Sequence, residues 1–88
     1  MKYNILVVDD EKDIRLSIAG ILEDENYEVS VAKNSDEALD AISLRVPDLV
    51  LLDIWLENSK LDGLELLEEI SSKFTNVPCI MISGHGNI

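Results

Sequence analysis

Residues 5–11 read Ile5-Leu6-Val7-Val8-Asp9-Asp10-Glu11. Four consecutive apolar residues are the mark of a strand covered on both faces, as in a parallel sheet. The strand spans Lys2 to Val8, and the acids that end it lie at its carboxyl end. The same arrangement recurs at Leu49-Val50-Leu51-Leu52-Asp53. A third apolar run, Cys79 to Ile82, follows Pro78, stops at Ser83-Gly84 and reads as the fourth strand.

Between these runs the period changes. Ile14, Ile18, Ile21 and Leu22 recur at helical spacing, which predicts a helix from the acids to about Glu25. Asp10 or Glu11 is placed to cap it, and Asn26 is its stop. Glu28 to Ala32 alternates, with Val29 and Val31 on one face, and reads as the second strand. Ser35 starts a second helix with Ala38, Leu39, Ala41 and Ile42 inward, and Pro47 closes that segment. After a polar loop, Glu57 to Lys60, Asp62 or Gly63 begins a third helix. Its expected buried stripe is Leu64, Leu67, Ile70 and Phe74. Strict alternation of strand and helix implies an α/β fold, a parallel sheet with helices on both faces.

Composition narrows the class. The chain has 88 residues, enough for one small domain, and 47% of them are hydrophobic. Eighteen acids against seven bases give a net charge of −11, which repels nucleic acid. No apolar run approaches the roughly 20 residues needed to span a bilayer. The N-terminus shows no signal-peptide pattern. The single cysteine, Cys79, sits in an apolar run and reads as a small hydrophobe. These features point to a cytoplasmic setting, away from membranes.

In a parallel α/β sheet, ligands bind beyond the carboxyl ends of the strands. Asp9 and Asp10, Asp53 and Ser83 all fall there. Carboxylates at close range repel unless a cation sits among them. An all-oxygen set favours a hard ion, Mg²⁺ or Mn²⁺. Mg²⁺ takes few carboxylates and often a phosphate oxygen, and a carboxylate can carry a phosphoryl group as an acyl phosphate. The acidic loop also excludes a nucleotide or flavin fold, which places glycines or hydroxyls after the first strand. Each residue also has a plainer reading. Asp9 and Asp10 could cap a helix, Asp53 could be a turn residue, and Ser83 could be structural. Asp62 reads as a helix cap, and His85 and Trp55 as loop residues. The convergence of the acids with Ser83 favours a site.

Together, Ile5 to Glu11, Leu49 to Asp53, Asp62-Gly63 and Ile80-Met81-Ile82-Ser83-Gly84 resemble the receiver domain of a two-component response regulator. The resemblance covers residues 1–88. It implies the N-terminal portion of a flavodoxin-like (CheY-like) receiver fold, without the last strand and helices. It further implies that Asp53 accepts a phosphoryl group from a sensor histidine kinase. It also implies a Mg²⁺ site in which Asp10 and Asp53 are ligands, Asp9 assists through water, and the Trp55 backbone carbonyl is a further ligand. Ser83 hydrogen-bonds the phosphoryl group and acts as the switch, while Gly84 leaves room for the phosphodonor. An attached effector domain is expected to read the change. Asp53-Ile54-Trp55-Leu56 and Ile82 to Ile88 resemble the nitrogen-regulation NtrX type, whose parents are sigma-54-dependent transcription activators.

Two departures from the general receiver pattern stand out. The loop between Asp53 and Gly63 is long and lacks the usual proline after the phosphoacceptor, which the NtrX-type resemblance accounts for. The receiver's fifth-strand lysine has no counterpart at Lys12, Lys33, Lys60 or Lys73, so poor phosphorylation of this fragment is expected. An exposed fourth strand is expected to favour self-association. Two rival functions remain at this stage. A phosphohydrolase with an aspartyl phosphate would carry an acid two residues after its nucleophile, where this chain has Trp55. An interaction module that is never phosphorylated would bind no Mg²⁺.

Overall fold

The computed structural model describes residues 2–82. Within them the order is β1 (Asn4–Val8), α1 (Lys12–Asp24), β2 (Glu28–Ala32), α2 (Ser35–Leu44), β3 (Leu49–Asp53), α3 (Gly63–Lys73) and β4 (Cys79–Ile82). The four strands pair in parallel in the order β2-β1-β3-β4. The α/β class and the alternating order are therefore as the sequence predicts.

The continuous apolar run of β1 is buried at every residue. Leu6 and Val8 face one side with Val50 and Leu52 of β3. They pack there against Ala38 and Ile42 of α2 and against Leu66 and Ile70 of α3. The other side carries Ile5, Leu49 and Leu51, which border a cleft of about 570 Å³ with Leu22 of α1, Tyr3 and Tyr27. Helices thus cover both faces.

Register is set at the strand starts. The Asn4 N–H donates to Asp48 Oδ2 at 2.7 Å, and the Asp48 N–H donates to the Asn4 carbonyl at 2.8 Å. With Ile5 opposite Leu49, Val8 falls opposite Leu52. Both strands therefore deliver their acids at the same edge. Ile82 pairs with Asp53. Ser83, Gly84 and His85 lie outside the described residues.

Several sequence expectations shift. Glu11 holds the N-cap position of α1 but makes no side-chain cap hydrogen bond. Ala19 is the buried residue of α1, whereas Ile21 is 64% exposed. Val31 is half-exposed because β2 is an outer strand of the described sheet. In α3, Leu66 is buried and Leu64 is 59% exposed. The cause is Gly63, whose backbone lies against β3. A Cβ there would overlap the Asp53 carbonyl oxygen and come within 2.6 Å of the Ile54 carbonyl oxygen. That contact fixes the phase of the helix, and Leu66, one turn on, takes the core position. Cys79 packs against the core, and burial pushes its thiol pKa up, in keeping with a small hydrophobe.

Candidate metal centre

β1 and β3 place three carboxylates together. One oxygen from each of Asp9, Asp10 and Asp53 lies within 4.8 Å of the others. Asp9 and Asp53 are fully buried, and Asp10 is half-buried. The three acids singled out from sequence therefore converge.

Backbone groups orient two of them. The Glu11 N–H donates to Asp9 Oδ1 at 2.8 Å, and the Trp55 N–H donates to Asp53 Oδ1 at 3.0 Å. Both bonds span two residues, the Asx-turn pattern that aspartate favours where a chain leaves a strand. Such bonds fix the carboxylate rotamers. Trp55 is 60% exposed, as expected of a loop aromatic.

A cation supports the loop from outside. Arg15 Nη1 donates to the Asp9 backbone carbonyl at 2.8 Å. The sequence reading missed Arg15. The available signal was its place one turn into α1, where a long side chain reaches back toward the helix N-terminus.

The donor set suits a hard divalent ion. It offers only carboxylate oxygens, gathered closely enough to share one ion, with no imidazole or thiolate among them. Mg²⁺ in particular tolerates a site of one or two direct carboxylates completed by water and other oxygens. Asp9, Asp10 and Asp53 fit that requirement.

The family model for the response regulator receiver domain matches residues 5–88. The chain belongs to the response regulator receiver domain family. The receiver family is a signalling module and not an enzyme. Over 88 residues the chain is 56% identical to the nitrogen assimilation regulatory protein NtrX of Azorhizobium caulinodans, covering all of this chain and 19% of that protein. The crystal structure of the receiver domain of NtrX from Brucella abortus is 59% identical, with a TM-score of 0.89. That match covers 94% of this chain and 69% of the other. TrrA of Thermotoga maritima, solved in complex with Mg²⁺ and BeF, is 38% identical with a TM-score of 0.86, over 98% and 72% of the two chains. The chain thus spans about a fifth of the full-length NtrX relative. This receiver is NtrX-like in sequence and in fold. Among the described residues no helix is long and apolar enough to cross a membrane.

Proposed function

We propose that this receiver segment is a phosphorylation-controlled switch that accepts a phosphoryl group on Asp53. It is the N-terminal portion of a receiver domain in a longer response regulator. The observation that carries the reading is the close meeting of Asp9, Asp10 and Asp53 at the carboxyl edge of the sheet. Likeness to TrrA, solved with Mg²⁺ and BeF, supports the choice of ion.

Asp10 and Asp53 would hold Mg²⁺ (or Mn²⁺) directly, with Asp9 through water and the Trp55 carbonyl as a further ligand. The ion supplies positive charge that offsets the charge of the carboxylates and the incoming phosphoryl oxygens. The Trp55 amide holds Asp53 Oδ1 in place, so the carboxylate meets the donor pre-oriented. In the transfer, the phosphorus–nitrogen bond of a kinase phosphohistidine breaks as a bond to the Asp53 carboxylate forms. Ser83 then hydrogen-bonds the phosphoryl group and Gly84 leaves space for the donor. The sensor histidine kinase, the effector that reads the switch and its role in transcription belong to the same proposal.

Two measurements test this reading. Mg²⁺ titration of the chain, followed by Trp55 fluorescence, should saturate and should fail in Asp10→Ala. In the longer parent protein, acetyl phosphate with Mg²⁺ should leave a hydroxylamine-labile phosphoryl group on the Asp53 peptide. Labelling that survives Asp53→Asn would sink the assignment.

A further inference from the structure

The long loop that joins β3 to α3 is tied at its middle to the start of α2. The chain turns at Asn58, whose φ of 51° lies in the left-handed region that asparagine tolerates better than most residues. That turn delivers Ser59 to α2. The Ser35 N–H donates to Ser59 Oγ at 2.8 Å, and the Leu61 N–H donates to Ser35 Oγ at 3.1 Å. Ser35 is fully buried, so both bonds lie in a partly dry setting where losing a partner is costly.

Both ends of the same loop touch the phosphoacceptor. At its start the Trp55 amide holds the Asp53 carboxylate, and Leu56 is buried in the core. At its end Gly63 rests on the Asp53 and Ile54 carbonyl oxygens. The segment from Ile54 to Asp62 is therefore held at two ends by Asp53 and in the middle by the serine pair. Leu56 and Leu61 pack on the core, so the tie fixes the polar stretch between them, residues 57–60, and a stretch with few fixed contacts opens readily.

We infer that the Ser35–Ser59 clasp is a positioning device for the metal centre, holding the β3–α3 loop in the conformation that presents Trp55 to Asp53. The inference rests on the metal-site reading given above. Neither serine touches the ion. They act by keeping the binding-competent loop populated, and apparent affinity falls in proportion to that population.

The test is Mg²⁺ titration of the full chain at constant ionic strength, read by Trp55 fluorescence and by calorimetry. Ser59 is only half-buried, so Ser59→Ala keeps the fold. One lost hydrogen bond of ordinary strength should weaken Mg²⁺ binding about three- to tenfold in Ser59→Ala. Ser59→Thr, which keeps the hydroxyl, should restore it. Leu22→Ala, on the opposite face of the sheet, should lower the melting temperature and leave Mg²⁺ affinity unchanged. Equal affinity in Ser59→Ala and wild type overturns the clasp alone. So does failure of the threonine variant, or an equal loss in Leu22→Ala. A wild-type chain that binds no Mg²⁺ overturns the metal reading and the clasp together.

Discussion

Asp53 is held from two directions, and the two holds differ in kind. Its carboxylate is oriented by the Trp55 amide, which any non-proline residue could supply. Its backbone is crowded by Gly63, a place where the absence of a Cβ matters. Gly63→Ala should therefore destabilise the domain by about 1–3 kcal/mol, as overpacking does. Urea unfolding measures the loss, and the Mg²⁺-induced change in Trp55 fluorescence should shrink with it. A fully stable Gly63→Ala variant would show that α3 can slide away from β3. At this scale the sequence was informative about charge and poor about contact. Asp9, Asp10 and Asp53 were legible because acids ending apolar strands have no role in a core. Arg15, Ser35 and Ser59 were not, because their importance lies in which amide or carbonyl they reach. A surface arginine and two serines look ordinary until register and loop path are known.

Among the elements, the helix starts are capped in different ways. Asp62 accepts the Glu65 N–H at 2.8 Å while Glu65 accepts the Asp62 N–H at 3.0 Å, a complete capping box. Asn34 caps α2 by accepting the Glu37 N–H at 2.9 Å. Glu11 gives α1 no such bond. Asp62→Ala should then cost about 1 kcal/mol of stability, and Asn34→Ala a similar amount. Urea midpoints at fixed ionic strength compare the two. No loss in either variant would mean that water replaces the capping hydrogen bonds without cost. The central strands β1 and β3 were legible because buried parallel strands are apolar, a signal that needs no phase, whereas β2 was found by its alternation. The helices were found, but their faces were partly misread. Leu64, Leu66 and Leu67 all fit a helical stripe, and only the contact of Gly63 with β3 decides that Leu66 points inward. Ile21 was read as core by spacing, yet it is exposed, and the smaller Ala19 is the buried residue of α1.

For the molecule as a whole, the acidic cluster sets function against stability. The chain carries a net charge of −11, and three of its carboxylates have oxygens within 4.8 Å of one another. At that range each pair of full charges repels by on the order of 3 kcal/mol at an effective dielectric near 20, before screening and relaxation reduce it. A divalent ion held among the three carboxylates would offset this repulsion. Asp10→Asn keeps the shape of the side chain and removes one of the charges. In the absence of divalent ions it should therefore melt above the wild type. With Mg²⁺ at ten times its dissociation constant, binding to the folded state alone should add about 1.4 kcal/mol to the wild type. For a domain of this size that corresponds to a rise of about 6–10 °C in melting temperature. Asp10→Asn should gain little, so the order of the two melting temperatures narrows or inverts when Mg²⁺ is added. NaCl at matched ionic strength separates specific binding from screening, since screening relieves repulsion across the whole surface and does not depend on Asp10. Equal responses to NaCl and Mg²⁺ would mean that the cluster only tolerates counter-ions. A response confined to Mg²⁺ and lost with Asp10 would tie the strain in the apo fold to the ion that the site is built to hold.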